Sequence, residues 1–291
     1  MKKMIMMALA AAFICGCEKP ALDDANGMTV DDTKNLPTKS FTFTVKGDFG
    51  AAKFTRGYLS ADGQSMTDLW AFDYMDGTCV QTVHQTSTDA DWGQPKMSLS
   101  YGIHHVYFVA SRGEGATLDA DGHTITWTGP RDTFWKDYEV DVMSTSNGNR
   151  AVTLDRVATK LRVAVNDEVP ATCKAVTVTP ERWYYGWDYV NGVAVASQQT
   201  ERRVTVPESF VGTTGQLAVS IFGLSCADEW VTNVAVKALG ESDAVIGSAT
   251  ITGAPFKANR STEYSGNLFG SSGDLDVSIN ENWESPKTGT W

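Results

Sequence analysis

The feature that most restricts this chain is alternation of apolar and polar residues, interrupted by Asp-Gly and Asn-Gly pairs. The stretch "FTFTV" sets Phe41, Phe43 and Val45 on one side and Thr42 and Thr44 on the other, the period of a half-buried β-strand. "HHVYFVAS", "HTITWT", "KLRVAV", "KAVTVT", "RRVTVP", "QLAVSIF" and "LDVSIN" read as strands too. Among these segments stand Asp62-Gly63, Asp76-Gly77, Asp121-Gly122, Asn147-Gly148 and Asn191-Gly192. Such pairs tolerate positive φ and close tight hairpins. Long stretches at helical period are missing; at most a turn or two of helix fits 89–93 or 132–137. Many short strands with Gly, Pro and Asn turns predict an all-β chain of sandwiches rather than a parallel sheet. No repeat of solenoid or propeller period is visible.

The front of the chain reads differently. Lys2 and Lys3 precede an apolar run at 4–14, followed by small residues, the layout of a secretory signal peptide. That run is shorter than the roughly 20 residues a membrane-crossing helix needs. Ile14-Cys15-Gly16-Cys17 resembles a bacterial lipobox. Gly16 suits the position before cleavage, whereas bulky Ile14 does not, so Cys17 is the acylated residue and Cys15 leaves with the peptide. The alternative is a soluble secreted protein with an unmodified cysteine. Each buried methylene of an acyl chain adds about 0.8 kcal/mol, so several chains on one cysteine anchor a protein without a spanning segment. Residues 17–40, rich in Asp, Pro, Asn, Thr and Lys, predict a lipidated flexible tether.

The chain has 291 residues and a formal charge of −11. Loss of 1–16 removes two lysines and leaves about −13. That balance, without Lys/Arg clusters, argues against nucleic acid and against docking on anionic lipid through a basic patch. The remaining length suits two domains. "STSNGNR" is the most polar, turn-prone stretch near the middle, which divides the chain into an N-terminal sandwich at 41–148 and a C-terminal one at 149–291. Besides Cys17 the mature chain keeps Cys79, Cys173 and Cys226. A Cys173–Cys226 disulfide and three buried free thiols are both compatible with that odd count.

No residue pattern carries catalysis. His104 and His105 are adjacent, so on a strand they face opposite ways; His84 and His123 have no ligand-like spacing. All four read as surface or edge histidines. "LDADGH" at 118–123 lacks the third acidic position and terminal Glu of a calcium loop, and reads as a hairpin turn. Nucleophile elbow, P-loop, His-Glu-x-x-His and Cys-x-x-Cys are all missing, so no cofactor, metal or enzymatic activity is expected. "ERWYYGWDYV" gathers Trp183, Tyr184, Tyr185, Trp187 and Tyr189 beside charged residues. Exposed aromatics offer sugars a flat apolar face, so Trp183, Tyr185 and Trp187 are candidate glycan contacts. The same alternate spacing equally serves a core or an inter-domain contact. Trp127, Trp135 and Trp283 read as core residues.

"TDLWAFDYMDG", "VTLDRVATKLRVAV", "VTPERWYYGW" and the ending "ANRSTEYSGNLFGSSGDLDVSINENWE", together with the lipobox, resemble the FimB-type fimbrial subunits of Bacteroidota, relatives of the fimbrillins. The resemblance spans most of the mature chain. It implies two tandem transthyretin-like (Greek-key) β-sandwiches and an outer-membrane lipoprotein that builds or anchors surface fimbriae and supports cell adhesion, with the uncut membrane anchor favoured over a shaft or tip subunit. Acidic residues after the lipidated cysteine resemble the signal for outer-face display in Bacteroidota lipoproteins, although Lys19 and Pro20 interrupt them here. Its partners would be other fimbrial subunits joined by β-strand complementation, outer-membrane lipid through Cys17, and host or microbial surface ligands. A sandwich lacking one strand exposes unpaired backbone beside an apolar groove, and a neighbour's strand satisfies both. Leu275, Val277 and Ile279 alternate in "GDLDVSINENW", either as the domain's own last strand or as one donated to the next subunit. In polymerising relatives a cut after a basic residue removes the first strand. Arg56 is the first arginine of the mature chain; a cut there would release lipid and "FTFTV" together, and an uncut chain stays the membrane-bound base. The rival function is a surface glycan-binding lipoprotein using the 183–189 aromatics.

Overall fold

Alternation becomes strand through most of the computed structural model, which describes residues 36–47, 60–61, 64–112, 115–269 and 275–280. In chain order the first strands are β1 (Thr38–Gly47), β2 (Ser60–Ala61), β3 (Gln64–Ser65), β4 (Asp68–Met75), β5 (Thr78–Thr86), β6 (Lys96–Ser100) and β7 (Gly102–Ser111). Next come β8 (Ala116–Leu118), β9 (Thr124–Trp127), β10 (Thr133–Val142), β11 (Asn149–Arg156), β12 (Ala158–Val165), β13 (Ala175–Pro180) and β14 (Trp183–Asp188). The last are β15 (Val193–Gln198), β16 (Arg202–Thr205), β17 (Ala218–Leu224), β18 (Trp230–Leu239), β19 (Val245–Phe256), β20 (Ser261–Gly266) and β21 (Leu275–Asn280). Single 3-10 turns at Glu208–Phe210 and Glu241–Asp243 are the helical elements among the described residues.

Asp76 and Gly77, with φ of 50° and 74°, form the two-residue turn between β4 and β5. Its backbone twist matches that of the paired strands. Residues 89–93 form turns, with the Trp92 amide donating to the Asp89 carbonyl at 3.1 Å. Residues 133–137, expected at most to form a helical turn, belong to β10. That strand pairs along its whole length with β7, from Thr133 opposite Ser111 to Val142 opposite Gly102. The ladder and the burial of Phe134, Val140 and Val142 outweigh local helical preference.

The first seven-stranded sheet runs β5-β4-β7-β10-β11-β1-β6. β10 and β11 share only the pairs Phe134/Arg156 and Trp135/Asp155, and at that seam the sheet divides into two layers. Between them lies a core of Phe41, Phe43 and Val45 with Leu69, Leu99, Phe108, Phe134 and Leu154. The second sandwich packs β17-β12-β20-β21 against β16-β13-β18-β19, around Leu161, Val163, Val178, Ile221, Val236 and Phe256. Each half repeats one device: a middle strand with a parallel neighbour on one side and an antiparallel one on the other. In the first half β1 lies between β11 and β6; in the second β12 lies between β20 and β17.

The division expected at 148 lies one strand too early. "STSNGNR" is the turn between β10 and β11, where the Ser146 amide donates to the Met143 carbonyl at 3.0 Å. β11 then closes the first sheet. Turn residues and linker residues have the same composition, which is why the two read alike. A further sheet, β15-β14-β9-β8, draws strands from both halves and covers a third core of Phe72, Tyr107, Trp127, Trp187 and Tyr189.

Candidate functional site

β1 is seated in a slot between two strands. It runs parallel to β11, from Thr42 opposite Asn149 to Gly47 opposite Leu154, and antiparallel to β6, from Thr38 opposite Ser100 to Thr42 opposite Lys96. Beyond β6 the Phe43 and Val45 amides donate to the carbonyls of Pro95 and Gly93, at 3.1 and 3.0 Å. Phe41, Phe43 and Val45 are 0% exposed. The Phe43 ring meets those of Phe108 and Tyr138 edge-on at 5.2 and 5.9 Å. Full burial is worth about 1.5–3 kcal/mol for each such side chain, so these three hold β1 by about 6 kcal/mol. The Thr42 amide donates to the Gly148 carbonyl at 2.7 Å. A Cβ on Gly148 would stand 2.4 Å from the Ser40 carbonyl oxygen, so only glycine lets β1 pass. Taking β1 away would leave a groove floored by this core, with the backbone edges of β11 and β6 unpaired.

The other end of the chain supplies a strand. β21 pairs antiparallel with β20, from Gly266 opposite Leu275 to Ser261 opposite Asn280, and so lies at the edge of its own sandwich. Gly16, Cys17, Arg56 and Trp283 lie outside the described residues.

The "ERWYYGWDYV" aromatics serve packing, which removes Trp183 and Trp187 from the candidate glycan contacts. Trp183 is fully buried in the second core, where its Nε1–H donates to the Phe222 carbonyl at 2.7 Å and its ring meets Phe256 edge-on at 4.9 Å. Trp187 lies in the third core, 5.7 Å from the ring of half-buried Trp135. Tyr189 stacks on Phe72 at 4.0 Å, its hydroxyl donates to the Gly122 carbonyl, and its own carbonyl accepts from Trp135 Nε1–H at 2.9 Å. Burial, reinforced by contact with the Tyr74 hydroxyl, pushes its phenol far above the ordinary range. β14 is covered on both faces, so alternation along it does not separate inside from outside. Tyr185 is half-buried. Two other half-buried aromatics, Tyr184 and Trp230, have ring centroids 5.1 Å apart under the Arg182 guanidinium. Nothing in the spacing marks Trp230, which lies 46 residues after Tyr184 in the chain.

Each histidine faces an aspartate. His104, read from sequence as a surface or edge residue, is fully buried; its Nδ1 lies 2.7 Å from the buried Asp73 carboxylate and its Nε2 3.0 Å from the Ser100 carbonyl. Burial raises the Asp73 pKa, against the lowering effect of His104. The clue was parity, because His104 shares its strand face with Val106, Phe108 and Ala110. His84 stacks on Trp70 at 3.8 Å and meets Asp68. His105 lies 2.9 Å from Asp137, and His123 3.4 Å from Asp188. "LDADGH" is the β8–β9 turn, in which Asp121 accepts from the amides of His123 and Thr124 at 3.0 Å. Among the described residues no three His, Cys, Asp or Glu side chains gather as metal ligands, and no helix is long and apolar enough to cross a membrane.

A Cys173–Cys226 disulfide is not formed; both thiols are free. Cys173 is in the second core, and Cys226 accepts the Ala194 amide at 3.2 Å. Cys79 is free and exposed on β5 rather than buried. A buried pair at the junction of the halves also escaped the sequence reading. Arg156, at the end of β11, donates twice to Asp132, at 2.8 and 3.2 Å, and reaches Asn259 at 3.3 Å.

No family model and no curated protein matches this sequence. Solved structures do. A candidate adhesin of Bacteroides ovatus superposes with a TM-score of 0.53 at 13% identity, over 88% of this chain and 95% of that one. A candidate polysaccharide-binding protein of Bacteroides thetaiotaomicron gives 0.54 at 7% identity, over 83% and 96%. This chain has their fold. The fimbrial anchor protein Mfa2 of Porphyromonas gingivalis gives 0.49 at 8% identity, over 84% and 98%.

Proposed function

We propose that this protein is an outer-membrane lipoprotein, held through Cys17, that serves as a non-enzymatic fimbrial subunit and specifically as the anchor. The observation that carries the reading is the seating of β1. In an uncut chain the strand that follows the tether fills the first sandwich's slot with its own Phe41, Phe43 and Val45. A filled slot accepts no incoming strand, so such a chain ends a filament at the membrane. The resemblance to FimB-type subunits supports the same role, and the shared fold with a Bacteroides protein described as a candidate adhesin supports a part in adhesion.

Opening the slot needs a cut between β1 and β4, and Arg56 is the basic residue suited to it. The far end would meet other subunits through strand pairing. The spacing of Leu275, Val277 and Ile279 repeats the i, i+2, i+4 pattern of Phe41, Phe43 and Val45 that such a groove demands. A surface-exposed location and a contribution to adhesion follow from this role. The glycan-binding alternative loses Trp183 and Trp187 to the cores.

The test is N-terminal mapping with palmitate labelling in cells. The expected result is a labelled chain starting at Cys17, with filaments that detach in Cys17→Ala. An unlabelled chain starting at Gly57 would replace the anchor by a polymerising subunit.

A further inference from the structure

The strand that would take a pull from the tether is held in shear. We infer that β1 and its two neighbours form a mechanical clamp, so that the protein's further function is to bear axial load between the tether and the rest of the molecule. The loading of this clamp in the cell rests on the anchor reading, while its existence is a property of the fold alone.

The argument is directional. β1 enters at Thr38 and runs parallel to β11, whose far end at Arg156 passes through Val157 into β12. Tension between the tether and the second half draws β1 backward along its axis and β11 forward along its own. The two strands must slide past each other, and every β1–β11 bond from Thr42/Asn149 to Gly47/Leu154 is strained at once. The β1–β6 pairs from Thr38/Ser100 to Thr42/Lys96 resist the same slide from the other side. Phe41, Phe43 and Val45 would be dragged through the core together, because they sit across the direction of travel.

A pull directed sideways does something else. It lifts β1 from its entry end and breaks one pair at a time, so a smaller force suffices. The exit point is also held: Arg156 is fastened to Asp132 and Asn259. Beyond it β12 repeats the arrangement between β20, parallel, and β17, antiparallel, which places a second clamp in series with the first.

Single-molecule pulling tests this on the mature chain from Glu18, with azide-bearing handles at exposed positions. Handles at 36 and 155 pull along β1 and β11. Handles at 36 and 145 pull across them, since the 143–148 turn lies beside the entry of β1, where Lys39 Nζ donates to the Ser144 carbonyl at 2.9 Å. Position 153, exposed on β11, gives a second axial handle. Forced unfolding reports the barrier along the pulled direction, so the axial rupture force should exceed the lateral one by at least about twofold at one loading rate. Equal forces in both geometries would overturn the clamp, whatever cells show about Cys17. Anisotropic forces in a chain that cells do not label with palmitate would leave the clamp standing and remove the anchor.

Discussion

Replacing Phe43 by Ala tests whether β1 is held by its apolar face. The ring is 0% exposed, stands 6.1 Å from Phe41, and meets Phe108 and Tyr138 edge-on. Cutting a buried Phe to Ala removes its transfer free energy and leaves a cavity, together about 3–5 kcal/mol. The slot is closed on both sides by β11 and β6, so it has little room to collapse, which puts the expected loss in the upper half of that range. Thr44, on the opposite and partly open face, is the control; Thr44→Ala should stay within about 0.5 kcal/mol. Urea unfolding of the mature chain from Glu18, followed by tryptophan fluorescence and far-UV circular dichroism, gives both numbers. Hydrogen exchange adds locality, because β1 amides should lose protection before those of β12. A Phe43→Ala loss below about 1 kcal/mol, or one no larger than that of Thr44→Ala, would refute the account of the slot.

The other predictions use different parts of the molecule. Gly148→Ala puts a methyl against the Ser40 carbonyl at a separation no real contact shows; about 1–3 kcal/mol of stability should be lost, measured by the same unfolding curves. A maleimide probe should label Cys79 in the native protein, whereas Cys173 should react only after unfolding, since burial both hides that thiol and pushes its pKa up. Mass spectrometry of the labelled peptides checks this. Burial raises the phenol pKa values of Tyr74, Tyr107, Tyr189 and Tyr264. A raised acid keeps its proton in the folded state after the unfolded state has lost it, so stability is full below pH 10 and falls as pH rises above it, by at most about 1.4 kcal/mol per pH unit for each group. Tyr189→Phe should flatten that alkaline loss in a series of urea midpoints, and an unchanged slope would contradict it. Trp187→Ala should destabilise by about 3–5 kcal/mol, read by thermal unfolding, rather than removing only a surface contact.

Much of the architecture was legible because period and turn chemistry are local. Phe41, Phe43 and Val45 point the same way in any strand, and Asp76-Gly77 needs no partner to favour a two-residue hairpin. What misled was local likeness with a different tertiary meaning. "STSNGNR" has linker composition but turns one strand back onto another. The residues at 183–189 alternate like a half-exposed strand, yet Trp183 is buried in the second core and Trp187 and Tyr189 in the third. His104 looks like a polar surface residue until its parity with Val106 and Phe108 is set against the buried Asp73 that receives it. A Cys173–Cys226 bridge was open from the cysteine count, and only the folded positions of the two thiols exclude it.

By itself the order of residues determined that this chain builds sheets, where most strands lie, and which face of β1 goes inward. Those properties depend on neighbours within a few positions, so they survive without any knowledge of the fold. Tertiary structure alone decided which strands become partners: that β1 lies between β11 and β6, that β11 belongs with the first half, and that strands of both halves share a sheet over Tyr189. Pairing across a hundred residues is settled by the collective burial of side chains and the closure of backbone hydrogen bonds, and no short window of sequence contains either.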